Sequence, residues 1–210
     1  MGKEAHASRT TEGRTTTGAR RLDAARLTPD GVLYGRAAGR KLAEAIAREL
    51  QHAARGTVLV VDLTKVRQAS YAALKEMFSV LDLLRTMKLA ERYLLFYVDA
   101  RNEDLLEAVE VTALARRQML PVIDRKGVWH NFGRLTKTER DTLELVEASD
   151  GLTSKDLQHR FALLASAASN RLRRLHDLRL IKREERVVAR SGGREFVYLP
   201  LVTRRRAPGR

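Results

Sequence analysis

The chain has 210 residues, long for one minimal domain and enough for two small ones that each bury a core. With 44% hydrophobic and 31% charged residues, and no uncharged apolar run near the roughly 18 to 20 residues that span a bilayer, no transmembrane helix is expected; the absence of cysteine removes disulfides, thiolate metal sites and cysteine nucleophiles. Lys and Arg number 40 against 26 Asp and Glu, a formal charge of +14 that favours a polyanionic partner.

The charge is uneven. Residues 135–210 hold 17 basic and 10 acidic side chains, residues 23–134 hold 18 and 14, and residues 1–22 hold 5 and 2. The opening stretch, MGKEAHASRTTEGRTTTGARR, has no periodicity and no apolar core of the kind a secretory signal needs, so residues 1–22 are expected to be a flexible basic arm and the protein cytoplasmic, associated with the nucleoid.

Between residues 23 and 134 the pattern alternates. Ala38, Leu42, Ala45, Ile46 and Leu50 make a helical stripe, and TVLVVDL (57–63) is a β-branched run expected to be a strand buried on both faces. ASYAALKEMFSVLDLLRTMKL predicts one long helix, RYLLFYVDA a second buried strand and EDLLEAVEVTALARRQ a third helix, with LPVID and GVWHNF as edge strands or a passage to the next domain. Helix and strand in alternation imply an α/β layer with a mostly parallel sheet.

Residues 135–202 follow another grammar. Thr136 stands three residues before Glu139, a capping-box spacing, at the head of one helix; TSKDLQHRF is a second helix capped by Thr153; SAASNRLRRLHDLRL is a third. IKREERVVA and REFVYLPL then flank Arg190-Ser191-Gly192-Gly193, whose Gly pair supplies the positive φ of a tight hairpin. Residues 203–210 are a basic tail.

Residues 152–186 resemble the winged helix-turn-helix domains of bacterial regulators of the MarR type, with Leu178-Arg179-Leu180-Ile181 at the exit into the wing and Arg179 where that family carries glycine. The resemblance implies duplex-DNA binding through the third helix. If Ala168, Leu172 and Leu175 form its buried stripe, Ser166, Asn170, Arg173 and Arg174 face the other way, flanked by Ala167 and Ser169. Arg pairs with guanine edges and Asn with adenine, so this face suits the major groove. Arg190 and Arg194 at the hairpin turn, and Arg204, Arg205 and Arg206 in the tail, are expected on the sugar-phosphate backbone, where they add affinity without reading sequence.

Residues 36–78 resemble the STAS-like family of anti-sigma-factor antagonists, through Arg36, Gly39 and Leu42 and through Asp62, Val66 and Ser70 in VLVVDLTKVRQAS. Phosphoswitching members carry D-S-S-G at the next helix start; this chain has Ser70-Tyr71-Ala72-Ala73, which leaves Ser70 as a helix N-cap rather than a phospho-acceptor. No catalytic pattern competes. His6, His52, His130, His159 and His176 share no ligand spacing, no phosphate-binding loop is present, and neither a metal nor a cofactor is expected. The expectation is a two-domain transcription regulator that is no enzyme: an α/β STAS-like domain for partner binding or homodimerisation, followed by an α+β winged helix-turn-helix on double-stranded DNA. The alternatives are a signalling adaptor whose winged helix contacts protein, and a sequence-neutral architectural DNA binder.

Overall fold

The computed structural model describes residues 19–86, 91–124, 129–187 and 194–202. The first part of the chain contains β1 (Ala19–Asp23), β2 (Val32–Leu33), α1 (Gly35–Gln51), β3 (Val58–Asp62), β4 (Gln68–Ala69), α2 (Tyr71–Met77), α3 (Val80–Thr86), β5 (Tyr93–Val98), α4 (Glu103–Ala115), β6 (Leu120–Asp124) and β7 (Trp129–Phe132). Five of these strands form one sheet in the order β1-β3-β5-β6-β7, parallel except for β7, which runs antiparallel to β6. β2 and β4 form a small parallel pair of their own.

Two expectations need correction. Residues 19–22 were expected to belong to the N-terminal arm; they pair instead along β3 as the edge strand β1. Leu22 packs on the core, and Arg21 donates to the buried Asp62 carboxylate at 2.6 Å while lying over the Tyr97 ring. Asp62 lies 41 residues downstream and Tyr97 farther still, so local composition gives no sign of them. Residues 1–18 lie outside the described residues. The single helix expected after Ser70 is two, α2 and α3, broken at Phe78 and Ser79. There the Ser79 hydroxyl donates to the Glu76 carbonyl at 2.6 Å and its amide bonds the same oxygen, three residues back rather than four.

One face of the sheet is covered by α1 to α4, and the core between them includes Leu42, Ile46, Leu59, Val61, Leu74 and Phe96. α1 and α2 approach very closely: a Cβ on Gly39 would lie 2.1 Å from the Ala73 carbonyl oxygen, so only glycine fits. Ser70 ties the same two helices at their starts, its hydroxyl accepting the amides of Ala73 at 3.2 Å and Gly35 at 3.1 Å. It is an N-cap in the structure, as its position suggests.

The second part contains α5 (Lys137–Glu147), β8 (Leu152–Thr153), α6 (Ser154–Phe161), α7 (Ala165–Asp177), β9 (Ile181–Val187) and β10 (Arg194–Pro200), the strands forming an antiparallel sheet in the order β8-β10-β9. Both expected caps are present: Thr136 and Glu139 close a reciprocal box on α5, and Thr153 and Asp156 close another on α6. Leu143, Val146, Leu157, Leu172, Leu175 and Ile181 are buried together. The two parts share apolar contacts: Met119, just before β6, joins this second core, while Leu201, just after β10, packs with Val58, Tyr93 and Leu95 on the free face of the larger sheet. β3 is thus buried on both faces, as its uninterrupted apolar run suggests, and the end of the chain supplies the second cover.

Candidate nucleic-acid interface

α6 and α7 meet at a tight corner. Ala162 closes α6 in the left-handed region at φ 49°, and the Leu163 amide bonds back to the Gln158 carbonyl at 3.0 Å. Leu164 then stands at the N-cap of α7, 77% exposed and offering no side-chain acceptor, so no side chain caps the first amides of that helix. Ala168, Leu172 and Leu175 are fully buried, the stripe expected from periodicity.

Ser166, Ser169, Asn170, Arg173 and Arg174 are exposed and Ala167 is half-buried, so the candidate residues of α7 do fall outside the core. They do not act as one group. Among the described residues Ser166, Ser169, Asn170 and Arg173 make no side-chain hydrogen bond or ion pair, whereas Arg174 turns toward α5, its Nε 3.4 Å from the Glu139 carboxylate. Burial raises the Glu139 pKa, but bonds from Thr136 and the nearby Arg174 outweigh it and hold the carboxyl below its ordinary value. A wheel shows only that Arg174 points away from the stripe; it cannot show that α5 lies within reach.

Ser169, Asn170 and Arg173 border a groove of about 450 Å³ that Ser154, Lys155 and the hairpin residues Arg183 and Phe196 also line. The Arg183 guanidinium sits over the Phe196 ring, 4.3 Å from its centroid. Lys155, Arg183 and Phe196 were not among the residues singled out from sequence. β9 and β10 alternate sides, and the register that sets Arg183 opposite Tyr198, diagonal to Phe196, becomes readable only once the strands are paired.

The described hairpin stem is less basic than its arginines suggest. Lys182, Arg183, Arg186 and Arg194 are interleaved with Glu184, Glu185 and Glu195. Arg194 lies 3.5 Å from Glu185 and Arg186 lies 3.6 Å from Glu184. Such exposed pairs are weak, so Arg194 keeps most of its freedom to leave Glu185 for another anion. Arg190, Arg204, Arg205 and Arg206 lie outside the described residues.

Beneath this surface, Arg179 occupies the left-handed region at φ 63°, and the Leu180 amide bonds the Leu175 carbonyl at 3.1 Å. The helix therefore ends in a sharp turn although a side chain stands where glycine is expected. His176 is buried on the inner side of α7 against Tyr93 of β5, ring centroids 6.3 Å apart; its Nδ1 is 3.7 Å from the Asp177 carboxylate, beyond hydrogen-bond reach. Burial first, and then Arg183 and Arg179, push its pKa down, so the imidazole is held neutral.

Among the described residues no set of three His, Asp or Glu is placed to hold a metal ion, and no helix is long and apolar enough to cross a membrane. No protein-family model matches the chain, and no curated protein matches its sequence.

Proposed function

We propose that this protein is a duplex-DNA-binding transcription regulator, with residues 135–202 acting as a winged helix-turn-helix. α7 enters the major groove, and the β9–β10 hairpin lies along the backbone. The observation that carries this reading is the outward face of α7: Ser166, Asn170 and Arg173 are exposed and, among the described residues, unbonded, beside a helix N-terminus that none of those residues' side chains caps. Asn and Arg in that state are available to base edges, and free first-turn amides suit a phosphate. Lys155, Arg183 and Arg194 extend the positive surface across the groove to the hairpin. In this reading the protein acts by binding, without catalysis, metal or cofactor. The α/β part, which resembles STAS-like domains, is its partner-binding or dimerising module.

Selection of bound sequences from random duplexes tests the reading. One enriched motif, with two half-sites at a fixed spacing, supports a dimeric sequence-reading regulator. Equal retention of all duplexes with a steep salt dependence selects the sequence-neutral binder instead.

A second reading, the protein-binding adaptor, is favoured by one surface. Val32, Tyr34 and Tyr71 are exposed large side chains near Ser70, and Val32 and Tyr34 border a shallow cavity of about 260 Å³. Absence of any duplex binding, together with capture of a defined protein partner lost on Tyr34→Ala, selects that reading.

A further inference from the structure

Arg117, Arg134 and Arg174 come from the end of α4, the segment after β7 and the exposed side of α7 to line a single cleft of about 420 Å³, floored by Leu114, Met119 and Leu178. Three guanidiniums around one concavity repel one another, and like charges are brought together only where something offsets them. The fold supplies one carboxylate, Glu139, at 3.4 Å from Arg174. The side chains of Arg117 and Arg134 bond no other described residue. The cleft therefore keeps a net positive charge over an apolar floor.

The backbone, more than side-chain placement, sets this shape. Arg117 follows the end of α4 in the left-handed region at φ 53°, a conformation that strains a non-glycine residue. Gly133 is at φ 117°, and a Cβ there would meet the Gln118 carbonyl at 2.5 Å and the Met119 sulfur at 2.6 Å. The chain is thus pressed onto Met119, and Arg134 follows directly at the rim.

We propose that this cleft binds a small organic anion: a carboxylate or phosphate monoester joined to an apolar body. The anionic head takes the guanidiniums, whose planar forks match both groups, and the body covers Leu114, Met119 and Leu178. The volume lies within the usual range for small-molecule sites. A phosphate of the DNA backbone has the same head chemistry but projects from a convex rod and brings no apolar body for the floor, so the free organic anion fits better. Because Arg174 belongs to α7 and Arg117 follows α4, a bound anion ties the two parts of the chain together. The inference does not depend on α7 binding DNA.

The test uses the full chain without DNA, titrated by calorimetry and backbone-amide NMR with benzoate, inorganic phosphate and the neutral benzamide. Benzoate is expected to bind saturably, phosphate more weakly because it leaves the floor uncovered, and benzamide not at all. Arg117→Gln and Arg134→Gln should each weaken benzoate binding by about tenfold. Arg26→Gln, an exposed arginine elsewhere, serves as the control and should leave binding unchanged. The proposal is overturned if benzoate does not saturate, if benzamide binds equally well, or if Arg26→Gln weakens binding as much as the cleft variants. A parallel titration with duplex separates the sources: if the cleft variants lose duplex affinity while the parent protein ignores benzoate, the guanidiniums serve backbone phosphates, and the small-anion site is wrong.

Discussion

The two parts of the molecule use polar side chains in opposite ways. In the α/β part several are turned inward and hold elements together. Asp62 accepts from Arg21 and from both the hydroxyl and the amide of Thr64, Ser70 accepts two helix-start amides, and Asn102 caps α4 while its own amide donates to the Val66 and Arg67 carbonyls. Arg116 binds Gln118, Asp82 and the Lys75 carbonyl, closing α4 onto the helices beside it. On α7 the equivalent residue types, Ser166, Ser169, Asn170 and Arg173, are left without partners among the described residues. A fold gains little from polar side chains in water, so polar groups that stabilise nothing inside are the ones available to an outside partner. This contrast separates scaffold from surface more sharply than net charge, which is positive in both parts.

The largest expected effect tests whether the two parts are one cooperative unit. Tyr93 is fully buried where β5 meets His176 and Leu201, so Tyr93→Ala should cost about 3 to 5 kcal/mol. Calorimetry should show one transition at lower temperature, shared by both parts. Two separated transitions would mean that the shared contacts are incidental and that residues 135–202 are autonomous. Tyr93→Phe sharpens the point: among the described residues the buried hydroxyl makes no well-formed hydrogen bond and feels the Arg183 backbone nearby, so its removal should cost no more than about 1 kcal/mol.

Those shared contacts also mark where sequence reasoning stops. The helix stripe from Leu42 to Leu50, the apolar run of β3 and the capping pair Thr136 and Glu139 are local patterns, and each could be read from residues a few positions apart. The pairing of β1 with β3, the burial of His176 against Tyr93 and the turn of Arg174 toward Glu139 join residues 35 to 83 positions apart. No local period encodes them. Of the candidate site, the outward direction of Asn170 and Arg173 was legible; that Lys155, Arg183 and Phe196 line the same groove was not, because it depends on how the hairpin lies against α7.

The next effect bears on the surface side of the contrast. Asn170→Ala and Arg173→Ala should each lose about 1 to 3 kcal/mol on the preferred duplex and much less on random DNA, because base-edge bonds exist only with the right base. Both should leave the melting temperature nearly unchanged, since neither side chain bonds within the described fold. Titrations on both duplexes at several salt concentrations check this. Equal losses on the two DNAs would mean that α7 does not read bases.

A smaller effect comes from the inner side of the same helix. The folded-state pKa of His176 lies below the ordinary 6.5, so between the two values the unfolded chain holds a proton that the folded chain does not. Its contribution is therefore absent above pH 6.5, and stability is lost as pH falls below it, at up to about 1.4 kcal/mol per pH unit. Comparing denaturant midpoints of the parent and His176→Leu from pH 7.5 to 5 isolates this residue from the other titrating groups. Parallel curves would show that the imidazole titrates freely in the fold and is not held neutral at the seam.

The smallest effect concerns Arg174, which lies between the two modes. From the helical wheel it belongs with Asn170 and Arg173; in the structure it keeps a 3.4 Å contact with Glu139 and lines the cleft beside α4. Its side chain is 63% exposed, and an ion pair so open to water contributes about 0 to 1 kcal/mol, so Arg174→Ala should lower stability by a few tenths of a kcal/mol. On DNA it should lose less than Asn170→Ala, and by similar amounts on preferred and random duplexes, because a guanidinium held by α5 adds positive charge near the helix without reaching a base edge. Pairing it with Glu139→Gln gives the deciding comparison. If the carboxylate restrains Arg174, Glu139→Gln releases the guanidinium and raises duplex affinity in the parent but not in Arg174→Ala. If Glu139→Gln raises affinity equally in both backgrounds, the gain is loss of a negative charge near DNA, and Arg174 is not restrained by α5 at all.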